Sequence, residues 1–371
     1  MNNNPLRGLR ACGQGVWLDY IRRDLISNGE LKNLIDEDGL SGMTSNPTIF
    51  EKALSGTPDY DEDLNRWLHE DPHTRADVLY ERIAIAEIQG AADCLAPVYR
   101  SMNKKDGFVS LEVSPGVAHH TQATIAEARR LWRGVARPNL MIKVPATKEG
   151  IPAIESLIAE GINVNITLMF TLLHYEKVAQ AYIRGLQRCQ NPQNVSSVAS
   201  FFVSRVDTAV DKALEDIGTP EALEMRGQAA IANSRMVYRR FRQIFEGDPF
   251  ADLKQRGAHL QRPLWASTST KNPAYADVLY VEELIGRDTV NTMPLETFKL
   301  FRDHGKVVED TVEKGNPEGI MARLSGFDID INEIGNKLQE EGVKSFTSSF
   351  EKLILALKEK TETILSHSIH N

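Results

Sequence analysis

NLMIKVP (139–145) and GINVNIT (161–167) are short apolar runs separated by GIPAIESLIAEG (150–161), whose apolar positions recur at helical spacing. Strand, helix and strand in this order make a parallel crossover unit, because parallel neighbours need a long connection between them. Side chains alternate faces along a strand. Leu140, Ile142 and Val144 therefore share one face of the first run, and Met141 and Lys143 the other. In the second run Val164 and Ile166 oppose Asn163, Asn165 and Thr167. A face covered by helices must be apolar. The lysine and the Asn-Asn-Thr row are thus expected to point into the interior of a closed sheet.

Six more runs extend this pattern. VWLDY (16–20), LSGMTSN (40–46) and GFVSLEV (107–113) precede the unit, and SVASFFV (197–203), RPLWAST (262–268) and DTVNTMP (288–294) follow it. Eight runs alternating with helical stretches such as TQATIAEARRLWRGV (121–135) predict an α/β fold, a (β/α)8 TIM barrel. Residues 51–106 and 208–260 exceed a minimal connection and read as helical insertions. Residues 295–371 read as a helical C-terminal extension packed on the barrel. No Gly/Ser/Pro-rich linker separates a second domain, so 1–371 is expected to be one unit.

Lysine is rarely buried without a reason. Desolvation favours its neutral amine, which can attack a carbonyl carbon. The alternative is a Lys143 that snorkels or pairs with a structural carboxylate. Acids stand at the matching rim of other strands: Asp19 ends the first run and Glu112 lies near the end of the third. Carboxyl groups there suit general acid–base work, although each alone is more often a helix cap or an ion-pair partner. Asn46 precedes a proline and should be extended or in a turn. Arg205 follows the sixth run, and Ser267, Ser269 and Lys271 follow the seventh, where barrels often bind phosphate. The competing readings are an Arg205 paired to Asp207 or Asp211, and a Ser/Thr cluster capping a helix.

The chain has 371 residues and a formal net charge of −8, which argues against nucleic acid as a bulk partner. Cys12, Cys94 and Cys189 are too few and too scattered for a disulfide framework or a zinc site, and fit a reducing, cytoplasmic setting. The opening residues lack the apolar core of a secretory signal, and no apolar run is long enough to span a bilayer. His119 and His120 are adjacent and diverge by about 100° on a helix, so no metal is expected. No dinucleotide or P-loop glycine pattern is present. The YRRFR cluster (238–242) reads as a solvated helix face.

MTSNPTIF, SLEVSPG, MIKVPAT, GINVNITLMF and SFFVSRVD, in this order and spacing, resemble the transaldolase family over roughly residues 14–294, and the longer bacterial members most. The resemblance implies a sugar-phosphate enzyme of the non-oxidative pentose phosphate pathway with no metal or cofactor. It implies that Lys143 forms a Schiff base, that Asp19 is the acid–base residue at the breaking C–C bond, and that Glu112 acts through a water positioned with Thr167. It further implies that Asn46, Asn165 and Ser200 hold hydroxyls of the three-carbon unit, and that Arg205, Ser267 and Lys271 meet the phosphate. Phe202 stands where the related fructose 6-phosphate aldolases tend to carry tyrosine. Ser204 stands where glycine is common, and Phe201 where proline is common. Within this reading the rivals are that aldolase, which frees dihydroxyacetone, and a non-catalytic sugar-phosphate-binding barrel. A homo-oligomer is compatible with everything above.

Overall fold

The computed structural model describes residues 4–54 and 57–369. Its strands are β1 (Gln14–Asp19), β2 (Gly42–Thr44), β3 (Phe108–Glu112), β4 (Leu140–Pro145), β5 (Val164–Met169), β6 (Ser197–Phe202), β7 (Gln261–Ala266) and β8 (Thr289–Met293). They pair in sequence order, all parallel, and β8 closes on β1. Each falls on one of the eight apolar runs. β2 keeps only three residues, because Pro47 lacks an N–H and opens a helix, Pro47–Leu54.

The N-terminal floor is closed by packing around one buried carboxylate. Asp106 accepts hydrogen bonds from Trp17 Nε1 (2.7 Å) and Ser41 Oγ (3.0 Å), and Arg262 lies 3.4 Å away. The Trp17 indole lies over Gly42, where a Cβ would sit 2.3 Å from the ring. The floor therefore has no room for a side chain at 42.

The extra segments form helices outside the barrel. Residues 51–106 contain Asp61–Glu70 and the 26-residue helix Ala76–Ser101. Residues 208–260 contain the end of Ser204–Ile217, then Ala229–Phe245 and Asp248–Gln255. The C-terminal segment forms Leu295–His304, Pro317–Gly326 and the 39-residue helix Ile331–Ile369. The YRRFR cluster is only half a solvated face. Arg239, Arg240 and Arg242 reach outward to Glu318, Glu176 and Glu246, while Tyr238 and Phe241 are buried because they fall on the core side of the turn. An N-terminal helix, Pro5–Ala11, has no counterpart in the sequence reading. It is capped by the Asn4 side chain and buries Leu6 and Leu9.

Replacing Asp106 by alanine should lower unfolding free energy by about 3–5 kcal/mol, because it strands a buried arginine and an indole N–H. Asp106→Asn, which keeps an acceptor for Trp17, should lose less. Urea denaturation of the two variants measures the difference; equal stability in all three proteins would refute this account of the floor.

Candidate active site

Lys143 stands mid-strand on β4, 5% exposed, and faces the barrel interior. Its Nζ donates to the Ser45 carbonyl at 2.7 Å and lies 3.2 Å from Glu112 Oε2. Glu112 is the register partner of Lys143 across the β3–β4 ladder, so the pairing follows from the register. Burial pushes the Glu112 carboxyl above the ordinary range; Lys143 opposes that rise and Asp19 adds to it. The sequence left open whether the lysine snorkels or pairs. It pairs, inside the barrel.

Asp19, at the end of β1, accepts a hydrogen bond of 2.6 Å from the Thr44 hydroxyl, which also meets Thr292 Oγ1 at 2.8 Å. Burial raises its pKa, against the pull of Lys143 and the Thr44 hydrogen bond. On β5, Thr167 is buried and its hydroxyl has no hydrogen-bond partner among the described residues. Asn165 spans Ser110 Oγ (3.0 Å) and Ser200 Oγ (2.6 Å), and so ties β3, β5 and β6 together beneath the rim. Asn163, expected on the same inward face, instead binds the Pro138 and Leu140 carbonyls and the Ser196 N–H at the strand's start. It is structural.

Of the residues singled out from sequence, Asp19, Asn46, Lys143, Thr167, Ser200, Phe202, Arg205, Ser267, Ser269 and Lys271 line one cavity of about 200 Å³ at the C-terminal rim. Glu112 reaches it only through Lys143, and Asn165 lies under it. Asn46 also accepts from the Ile49 N–H, so the same side chain shapes the turn and faces the cavity.

Opposite Lys143 the cavity is cationic. Arg205 lies over the Phe202 ring at 5.3 Å. Its candidate partners are taken: Asp207 accepts from Ala230 N–H and Tyr280, and Asp211 from Gly227 N–H and Tyr275. Among the described residues neither Arg205 nor Lys271 has an ion-pair partner. Burial and then the Arg205 charge push the Lys271 ammonium down, which places two cations side by side. Ser269 accepts from Lys271 at 2.7 Å instead of capping a helix. Ser204 and Ser267 meet hydroxyl to hydroxyl at 2.9 Å, and Ser267 holds a left-handed conformation (φ 56°) that turns its carbonyl to the Ser204 N–H. An anion fits this end.

Residues missed from sequence complete the site. Thr44 and Thr292 fix Asp19, Ser110 fixes Asn165, and Phe346 of the terminal helix roofs the cavity. Thr44 and Ser110 each sit two residues before a singled-out residue, on the same face, so alternation could have found them. The Ser45 acceptor is a backbone carbonyl, and Phe346 lies in a helix without a motif; neither leaves a side-chain signal.

Residues 16–357 match the transaldolase/fructose-6-phosphate aldolase family. The chain is 44% identical over 360 residues to a transaldolase of Thiobacillus denitrificans, covering 95% of this chain and 99% of that one. It is 43% identical to transaldolase 2 of a Nostoc species (97% and 98% covered) and 42% identical to the transaldolase of Mycobacterium tuberculosis (97% and 98% covered).

The raised Asp19 pKa has a stability consequence. Below 3.8, the carboxyl's ordinary value, it is protonated whether folded or unfolded, and burial costs no charge. As pH rises from 3.8 through the raised value, the unfolded chain ionises first and stability falls. Asp19→Asn should therefore raise the melting temperature at pH 8 relative to the unsubstituted protein, and the gain should shrink toward pH 4. Calorimetry across that range tests this. A gain that grows on acidification would contradict it.

Proposed function

Because the chain belongs to the transaldolase/fructose-6-phosphate aldolase family, we propose that Lys143 is the amine through which it moves a three-carbon ketol unit between sugar phosphates. The activity is that of a transaldolase, an enzyme of the transferase class acting in the non-oxidative pentose phosphate pathway. The donor is a ketose phosphate, sedoheptulose 7-phosphate or fructose 6-phosphate. The acceptor is an aldose phosphate, glyceraldehyde 3-phosphate or erythrose 4-phosphate. One observation carries the residue assignment: a lysine buried in the barrel, 3.2 Å from a carboxylate, opens onto a cavity whose far end is cationic.

The mechanism follows from that geometry. Glu112 takes a proton from the Lys143 ammonium, and the free amine adds to the C2 carbonyl. The Ser45 carbonyl orients the amine through the 2.7 Å hydrogen bond. Glu112, through a water positioned with Thr167, returns protons to the carbinolamine oxygen, which leaves as water. The protonated imine is the electron sink. Asp19 takes the C4 hydroxyl proton, C3–C4 cleaves, and an aldose phosphate departs. Thr44 occupies Asp19 Oδ1, which leaves the other oxygen for that hydroxyl. The enamine stays on Lys143 while Asn46, Asn165 and Ser200 bind or support the binding of its hydroxyls. Arg205, Ser267 and Lys271 hold the phosphate. A second aldose phosphate reverses the steps.

The rival fructose 6-phosphate aldolase reaction differs in whether water reaches the enamine. Phe202 and Phe346 present apolar surface to the cavity, which supports retention and transfer. The terminal helix supplies Phe346, which is why we take 1–371 as one working unit. Among the described residues no helix is long and apolar enough to cross a membrane, and all three cysteines are free; both support a cytoplasmic setting.

Fructose 6-phosphate trapped with borohydride should label Lys143 in a peptide mass map, and erythrose 4-phosphate should be needed for sustained turnover. Lys143→Arg should lose the label, and its transfer rate should fall by at least about a hundredfold. Full activity in that variant would refute the assignment, and steady turnover without acceptor would favour the aldolase.

A further inference from the structure

Glu112 touches Lys143 from the side away from the main cavity, and behind it lies a second cavity of about 230 Å³ outside the strands. Leu111, Glu112 and Ser114 form its inner end. Tyr80 and Ala84 of helix Ala76–Ser101 form one wall, Glu127 of helix Thr121–Val135 another, and Pro47 with Phe350 of the terminal helix also line it. At the outer end Glu81 and Arg130 pair, with side chains 29% and 51% exposed, so the chamber meets solvent there. Its inner end is polar and closed: the Glu112 side chain is 6% exposed, and its Oε2, though close to Lys143, has no well-aligned hydrogen bond. The volume admits several waters. The two cavities are lined by different residues, and the Lys143–Glu112 contact joins them.

The imine chemistry needs such a route. Ammonium plus ketone gives protonated imine plus one water, and hydrolysis consumes one water; no net proton is exchanged. During both steps the sugar phosphate fills the main cavity from Lys143 to Arg205, under Phe346. A water crossing that space would pass the enamine.

We propose that the chamber behind Glu112 is the water-exchange route of the Schiff base. Water expelled from the carbinolamine leaves past Glu112 between the two helices, and the hydrolytic water returns the same way. Glu112 and Lys143 are thereby served from the rear while the enamine's front stays dry. Glu81 and Ala84 gate the route by their size; they touch no substrate. This inference rests on the Schiff-base reading above.

The test is oxygen exchange. Fructose 6-phosphate is incubated with enzyme in ¹⁸O water without acceptor, and label entering C2 is followed, with Lys143→Arg giving the uncatalysed rate. Ala84→Leu fills the chamber, and Glu81→Trp plugs its partly exposed rim. Thermal melts report folding, and borohydride trapping reports the adduct. Catalysed exchange should slow on the order of tenfold in both variants, with KM unchanged and the adduct still on Lys143. Exchange at the unsubstituted rate in folded Glu81→Trp, with the adduct present, would overturn the chamber and leave the Schiff base standing. No adduct in the unsubstituted protein would overturn both.

Discussion

A lysine and a glutamate, each with 6% of its side chain exposed, lie 3.2 Å apart inside a ring of strands. Everything else in the molecule must accommodate that pair. Removing an ion from water costs several kcal/mol, and mutual attraction offsets the cost only with good geometry. Apolar replacements of buried pairs are often neutral or stabilising, so the pair is no asset to the fold. Asp19 adds a third, half-buried carboxyl whose charged form partial desolvation disfavours. Three ionisable groups kept wholly or partly out of water at one rim make sense as chemistry. The barrel tolerates them because its interior below is filled by Trp17, Met141 and Leu264 and closed by the Asp106 network.

The same division of labour recurs on β1, β4 and β5. Strand starts carry side chains that bind backbone: Asn139 to the Ala92 and Gly107 carbonyls, Gln14 to the Leu284 carbonyl, Asn163 to the Pro138 and Leu140 carbonyls. Strand ends carry side chains left free for a ligand, and there the backbone departs from regular pleating. Leu168 and Ser267 hold positive φ at the ends of β5 and β7, a cost of order 1–3 kcal/mol each. The terminal helix helps to hold this rim. Gln339 donates to the Ala146 and Leu168 carbonyls, and Asn336 meets His174. The helix lies close because Gly335 and Gly342 face Thr171 and Leu168, where a Cβ would come within 2.1 and 2.7 Å of a side-chain carbon. From there it reaches Phe346 over the cavity and Ser349 to Thr48 on the far side.

Period-two alternation made the strands legible, and with them Lys143, Thr167 and Glu112, because an inward polar residue between apolar neighbours has few explanations. It could not say at which depth each residue sits. Asn163 and Asn165 share a face, yet one serves the floor and the other braces the rim. Short polar clusters were ambiguous for a different reason: Asn46 and the Ser/Thr loop after β7 could satisfy backbone or ligand, and Asn46 does the first while facing the second. Contributions from distant sequence left no trace. Phe346 lies 179 residues beyond Thr167, about half the chain away, and its apolar spacing reads the same whether it roofs a cavity or packs on a helix. The chamber behind Glu112 is likewise a property of how helices distant in sequence pack.

The cavity holds two cations that have no ion-pair partner, and these bear on which way round a substrate lies. Asp19 and Lys143 line it, with Glu112 behind Lys143, and so do Arg205 and Lys271, which have no carboxylate in ion-pair reach among the described residues. Burial and then the Arg205 charge push the Lys271 ammonium down, so an anion that settles beside them relieves repulsion as well as forming hydrogen bonds. A dianionic phosphate gains most there and would be repelled from Asp19 and Glu112. A ketose phosphate bound this way is drawn by its phosphate to the two cations and presents its carbonyl end to Lys143. The outer surface, with a net charge of −8, gives no such direction. On the proposed mechanism, orientation is thus set inside the cavity by unpaired cations and the position of bond cleavage by Asp19. Both come from charges that the fold alone would be better off without.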